Sequence, residues 1–433
     1  MARKQYMTIL PTNIYRGWWV HIGLFLCAMI VVGSSSYSFA LFVVPVSAEL
    51  DINRATINNG YIALLLGVGI LSPLIGRLLD RFSARLIILS GGVVFAIGLS
   101  TLTYTESPLI MLIAILGPVS YGYTACSLLA VNTVIVRWFK RRRGAALGVM
   151  AVATSAGGFV FAPLTATMIE HFSWRSALLI NAGIAVTVIS VLSLLFIRNR
   201  PTGNEDGYNL EFNIVDEDAD DAQEEAETEK TWTYRELLLN RNFWLLTFCI
   251  GLLLTSDMAL MTSNVPYFID IGIDIQAAAF IVSFMTASAI LGKLLVGYVA
   301  DKVDLRYVFY GVGFAHLALL VVYILQPTYW ILFLCTSIFG LGVGGVFPVW
   351  STLLAWLFGT KNYGTVMGLM TIVVKIMSII GVHFIGRVYD LKGSYVPAFW
   401  IFLILVSIGI ILASMLRPQS TTEVVIGVER ATQ

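Results

Sequence analysis

Twelve long apolar runs, each bounded by a short polar stretch, make up most of this sequence. A bilayer-spanning helix needs about 20 predominantly apolar residues. Runs of that kind are read at approximately 18–44, 57–79, 86–104, 108–136, 144–169 and 175–197, and again at 242–270, 276–300, 307–325, 329–357, 364–389 and 395–416. Pro73, Pro118, Pro163 and Pro348 fall inside runs; a spanning helix tolerates them because neighbouring helices re-satisfy the backbone. The pattern predicts an all-α integral membrane protein of twelve spans in two six-helix bundles, 18–197 and 242–416. Segments 1–17, 198–241 and 417–433 are left outside the spans.

Charge sets the expected orientation. Of the 27 Lys and Arg, two lie within spans and four (Arg54, Arg175, Arg387 and Lys392) lie on the side of the first loop; the remaining 21 lie on the side of the N-terminus. An excess of Lys and Arg marks the cytoplasmic side, so both termini are expected in the cytoplasm of a multi-pass protein of the plasma (inner) membrane. The first span is too long for a signal-peptide core and is read as retained. Between spans six and seven, residues 205–229 hold twelve acids and no Lys or Arg. That run reads as a solvated cytoplasmic linker, ending in a short interfacial helix near Trp232–Leu239.

Composition agrees: 58% of residues are apolar and 12% charged, against about 45–50% and about 25% in soluble domains. A net charge of +1 gives no bulk field to recruit nucleic acid. The four cysteines are scattered through apolar segments, without the spacing of a disulfide framework or a metal site. No nucleophile triad or phosphate-binding loop appears, which argues against an enzyme or an ATP-driven pump.

Three ionisable residues break the apolar spans: Asp257, Lys293 and Lys375. A charge near the bilayer centre costs about 2.5–3.5 kcal/mol on insertion scales, so such residues mark substrate or ion pathways. Two cations and one carboxylate predict an anion site with its own counter-charge. At 1.5 Å rise per residue, Asp257 and Lys375 fall near mid-membrane and Lys293 nearer the cytoplasm.

The halves repeat at a spacing near 220. GRLLDRFSAR (76–85) after span two is echoed by GYVADKVDLR (297–306) after span eight, and GAALG (144–148) by GTVMG (364–368). Duplication points to a transporter with its site between the halves. Lys375 corresponds to Ser155, so its charge is not part of the duplicated scaffold.

At these loops the chain resembles the major facilitator superfamily, whose Gly-x-x-x-Asp-Arg/Lys signature occurs here twice. The resemblance implies that Gly76, Asp80, Arg81 and Arg85, and likewise Gly297, Asp301, Lys302 and Arg306, form loops that clamp helix ends and favour an outward-open state. A closer resemblance, to the oxalate/formate antiporter and monocarboxylate transporter branch, is carried by RGWWV (16–20), YSFALFVVPVSAEL (37–50), RWFKRRRGAALGV (137–149), SNVPY (263–267) and KNYG (361–364). In that branch a cation in span eight, usually Arg, binds the substrate carboxylate; Lys293 stands at its place. Lys supplies a point charge rather than a planar fork. The acid often found one turn earlier is Ala289 here. The span-eleven Lys of oxalate carriers is matched loosely by Lys375.

The expected chemistry is a secondary transporter of small carboxylates, such as lactate, pyruvate or acetate, by proton-coupled symport; the alternative is carboxylate exchange of the oxalate/formate type. Lys293 and Lys375 are expected to bind the anion. Asp257 is expected to pair with a lysine in the empty cavity and to take a proton when the anion displaces it. Tyr37, Tyr121, Tyr123, Asn264 and Phe347 are candidate pocket residues, although Tyr121 and Tyr123, two positions apart, cannot share a helix face. His383, eight residues after Lys375, is a weaker proton-relay candidate. The expected partners are a small organic anion, a proton and the bilayer, with a monomer as the working unit and no metal, cofactor or nucleic acid.

Overall fold

In a computed structural model the described residues are 15–52, 54–140, 142–200 and 231–417. Among them the chain is helical throughout, with twelve helices long and apolar enough to cross a membrane. These are α1 (Gly17–Tyr37), α2 (Asn59–Arg81), α3 (Ala84–Tyr104), α4 (Pro108–Trp138), α5 (Arg143–His171) and α6 (Trp174–Leu195), then α7 (Arg241–Asp270), α8 (Gln276–Ala300), α9 (Leu305–Leu325), α10 (Tyr329–Phe358), α11 (Tyr363–Lys392) and α12 (Val396–Ala413). The acidic run 205–229 lies outside the described residues.

Capping side chains fix several helix starts. Ser173 accepts from the Ser176 amide, Asn240 from Asn242 and Phe243, Asp274 from Gln276, and Asp304 from Arg306. Each supplies an acceptor to an amide that the helix itself leaves without a partner. Two spans depart from regular α geometry. Gly33–Tyr37 at the end of α1 and Ile115–Val119 inside α4 are π-helical, the latter containing Pro118. Beyond its π segment the first helix continues as Phe39–Leu50, further than the apolar run predicts.

Helix pairing repeats between the halves. In the first, α1 packs on α5, α2 on α4, and α3 on α6; in the second, α7 packs on α11, α8 on α10, and α9 on α12. Two seams join the bundles, α2 against α11 and α5 against α8. Glycine makes both possible. A Cβ at Gly144 would fall 2.4 Å from the Gly297 carbonyl oxygen, and one at Gly148 2.5 Å from that of Lys293. In the other seam, a Cβ at Gly364 or Gly368 would fall 2.6 or 2.3 Å from the carbonyl oxygen of Gly76 or Ser72. Small residues four apart thus let backbones touch where lipid offers no hydrophobic drive for association.

The signature loops close these seams at one face. Asp80 accepts from the amides of Gly364 (3.2 Å) and Thr365 (2.6 Å) at the start of α11, and pairs with Arg137 at 2.8 Å. Asp301 accepts from Gly144 (2.6 Å) and Ala145 (2.8 Å) at the start of α5. Each carboxylate thereby meets a helix N-terminus, where amides are unpaired and the dipole is positive. Burial against α5 pushes the Asp301 carboxyl up from its ordinary range, opposed by the two amides and by the charge of Arg143.

The arginines that close the two loops differ. Arg85 reaches the C-terminal carbonyls of α6, at Ser193 (3.1 Å) and Leu194. Arg306 instead makes a local, half-exposed pair with Asp304 at 2.8 Å and holds that carboxyl below its usual range. Lys302 turns back on Tyr298, its Nζ 4.2 Å from the ring centre, and Arg81 is exposed.

The same face carries a brace. Thr233 and Glu236 form a capping box that starts a short helix, Tyr234–Leu239. Just before it, buried Trp232 donates its backbone amide to Asn362 Oδ1 (3.0 Å) and its indole to the Phe358 carbonyl (3.2 Å). The Arg77 guanidinium stacks over the Tyr234 ring at 5.3 Å. The end of the linker therefore touches both bundles.

Candidate functional site

Midway along α7, Asp257 opens a polar cluster where the bundles meet. On α8, Lys293 is buried to 7% exposure. Its Nζ donates to Ser155 Oγ at 2.7 Å and to Thr154 Oγ1 at 3.3 Å, both on α5 of the opposite bundle. Asp257 acts on Lys293 through space. Tyr37 lies within electrostatic reach of Ser155, Asp257 and Tyr61. Tyr61 on α2 and Tyr123 on α4 both engage Ser36, the neighbour of Tyr37 in the π segment. One ammonium, one carboxylate, three phenols and three small hydroxyls thus gather from α1, α2, α4, α5, α7 and α8. The π turn presents Ser36 and Tyr37 together, as π segments at functional sites often do.

Several expected residues join this cluster, namely Lys293, Asp257, Tyr37 and Tyr123. The expected partnership between Asp257 and a lysine takes a different form. Among the described residues no ion pair within 4.0 Å joins Asp257 to either lysine, because Lys293 is held by the two α5 hydroxyls instead. Lys375 stands on the other seam, its Cβ 3.5 Å from where a Cβ on Gly69 of α2 would lie. Among the described residues it has no hydrogen-bond or ion-pair partner, and no charged side chain acts on it. Asp257 is therefore a counter-charge to Lys293 alone.

Other candidates lie elsewhere. Tyr121 bonds to Ser90 of α3 at 3.0 Å, inside its own bundle and away from Tyr123. Asn264 is buried among α7, α8 and α9, accepting from the Tyr323 hydroxyl at 3.0 Å with Met285 3.8 Å from its amide. Its polar capacity is spent within the second bundle's core rather than on the interface. Phe347 is half-buried, its ring 6.4 Å from that of Trp350. His383 is exposed on α11 and makes no hydrogen bond or ion pair among the described residues. Sequence reasoning missed Ser36, Tyr61, Thr154 and Ser155 as site residues. The polar run Gly33–Tyr37 within an apolar span was the available signal for the first.

Among the described residues no three metal-ligating side chains gather. What the cluster offers is a desolvated ammonium bound by weak neutral partners, with a carboxylate near it. An incoming carboxylate can replace the two hydroxyls, because it keeps a charged hydrogen bond to the ammonium and adds the attraction of opposite charges.

Comparison with known proteins adds the family. The family model described as Major Facilitator Superfamily matches residues 24–271 and 243–431. Among curated proteins, the chain is 26% identical to human monocarboxylate transporter 2 over 88% of this chain and 81% of that one. It is 25% identical to rat monocarboxylate transporter 12 over 76% and 70%. Among solved structures, the proton:xylose symporter XylE superimposes with a TM-score of 0.70 at 13% identity, covering 94% of this chain and 97% of that one. The human organic anion transporter MFSD10 gives 0.66 at 15% identity, covering 93% and 100%. With a family match across both halves and twelve spans paired as a repeat, the chain belongs to the major facilitator superfamily and is a secondary transporter rather than an enzyme.

Proposed function

We propose that this protein carries small monocarboxylates together with a proton, by alternating access. The observation that carries the reading is the Lys293 ammonium at the bundle interface, hydrogen-bonded only to neutral hydroxyls, with Asp257 as its through-space counter-charge. A substrate carboxylate displaces Ser155 and Thr154 from the amine. Asp257 then loses part of the positive field that keeps it ionised, and it takes a proton. Anion and proton cross together, leaving the charge of the site unchanged. The names of the curated relatives, monocarboxylate transporters 2 and 12, support the substrate class. Tyr37 and Tyr123 line the same cluster and are assigned to the substrate's remaining polar atoms.

We assign the signature face to the cytoplasmic side of the plasma membrane; the excess of Lys and Arg on that side supports the orientation. Both seams are closed on that face, so the site has no path to it in this conformation. We take a monomer as the working unit, a reading supported by a cluster drawn from one chain.

Proteoliposomes test the coupling. An inward proton gradient should drive accumulation of labelled lactate by the wild type, and Lys293→Ala should lower uptake by about 10-fold or more, the loss of a charged hydrogen bond worth about 1.5–3 kcal/mol. Asp257→Asn should retain exchange but lose accumulation. Undiminished gradient-driven accumulation by Asp257→Asn would overturn the coupling role.

One observation favours a second reading. Lys375 has no counter-charge among the described residues, so the interface holds one cation in excess. That excess suits exchange of a dicarboxylate for a smaller anion. Uptake that requires preloading with unlabelled anion, whatever the proton gradient, would select this reading.

A further inference from the structure

We propose that the first bundle holds a second binding site, a narrow bore that takes one acyl chain of a bilayer phospholipid. A cavity of about 400 Å³ lies inside this bundle, walled by α1 and its continuation, α2, α3, α4 and α6. Along α4 it is lined from Pro108 to Val119, a length of about 16 Å at 1.5 Å per residue. Spread over that length, the volume gives room for an extended hydrocarbon chain.

The walls favour hydrocarbon over water. Phe42, Leu64, Leu99, Ile115 and Leu178 are typical of the lining. Along the walls, Ser34 donates to the Ile30 carbonyl and Ser35 to that of Val31, each at 2.6 Å, while the remaining lining amide, Asn59, stands exposed where α2 begins. Trp174 turns its indole N–H to Glu49 at the rim. A buried water needs two to four polar partners, and apolar cavities stay dry without them.

The mouth fits the same occupant. Leu109 and Leu112 line the cavity and are also 64% and 39% exposed, on a helix whose exposed side is apolar and faces lipid. At that end the Arg175 guanidinium lies 4.4 Å over the Trp174 ring and pairs with Glu49. Aromatic rings and cations at a membrane surface sit at headgroup level. A phospholipid would thus thread its chain past Leu109 and leave its phosphate near Arg175. This site is separate from the lysine cluster and does not depend on which anion is carried. It does share a wall with it, since Ser34 and Ser35 precede Ser36 and Tyr37 in one π segment.

The test uses the full-length protein in liposomes containing phosphatidylcholine with a diazirine near the end of one acyl chain. After illumination, crosslinks are mapped by peptide mass spectrometry. Labelling is expected at bore residues such as Leu64, Leu99 and Ile115. It should fall at least fivefold in Leu102→Trp and in Leu178→Phe, each of which fills the bore at a different depth, while outward-facing Ile110 and Ile113 stay labelled as in the wild type. Labels confined to Ile110 and Ile113 in the wild type would overturn the proposal. So would bore labelling by a free fatty-acid diazirine but not by the phospholipid. The wild-type map decides the matter even where a filled variant fails to fold.

Discussion

A single ammonium held by neutral partners behaves differently from one locked in a salt bridge. Lys293 spans the interface to reach Ser155 at 2.7 Å, so its two hydrogen bonds also tie the bundles together. Removing one partner of a charged hydrogen bond costs about 1.5–3 kcal/mol. Ser155→Ala is therefore expected to loosen the α5–α8 seam and populate the opposite conformation. Spin labels at Arg81 and Lys302, one per bundle on the signature face, read this directly. The distance distribution should gain a longer component, and an unchanged distribution would remove the tie from Lys293. The charges themselves were legible in the sequence, because Asp257, Lys293 and Lys375 stand out against hydrocarbon. Their partners were not. Hydroxyls within spans mostly bond back to their own helix, as Ser72 does to Val68 and Thr255 to Gly251, and nothing local marks the one that crosses to a residue 138 positions away. Asn264 misled for the same reason: its partner Tyr323 is a tertiary fact.

At the scale of elements, the two seams are built from one recipe. Each sets two glycines four residues apart on one helix against carbonyls of the other, then closes the end with an aspartate on a helix N-terminus. Gly76→Val should fail here, because its Cβ would sit 2.0 Å from the Gly364 carbonyl oxygen. Overpacking of this kind costs about 1–3 kcal/mol, and it falls only on the state in which the seam is closed. The expected result is a folded protein in which Thr365→Cys, buried in the closed seam, gains accessibility to maleimide from the signature side; unchanged accessibility would contradict it. Here the sequence was highly informative. The paired loops and the paired Gly-x-x-x-Gly starts are visible as repeats, and the physics of close approach explains them. The π turns of α1 and α4 were not visible, since no residue pattern obliges an extra residue in a turn. The position of Tyr37 depends on one of them.

Over the whole molecule, the closed face combines three kinds of contact: the glycine seams, the aspartate clamps and the brace from Trp232 to Tyr234. Opening that face must part Arg77 from Tyr234, because they ride with different bundles. Arg77→Cys together with Tyr234→Cys, bridged by a reducible bis-methanethiosulfonate long enough to span two side chains, should arrest uptake, with reductant restoring it. Continued transport by the crosslinked carrier would show that the brace does not move.

The brace also divides the labour of the connector. Its described grips flank the acidic stretch: upstream, the Trp138 indole donates to the Arg198 carbonyl (2.9 Å) and the Ala84 amide to Asn199 Oδ1 (2.6 Å), and downstream lie the contacts from Trp232 to Leu239. A connector held at both ends makes few demands on the residues between. Insertions, a protease site or even a fused reporter placed within 205–229 should leave the gate intact, whereas trimming that removes Trp232 would not.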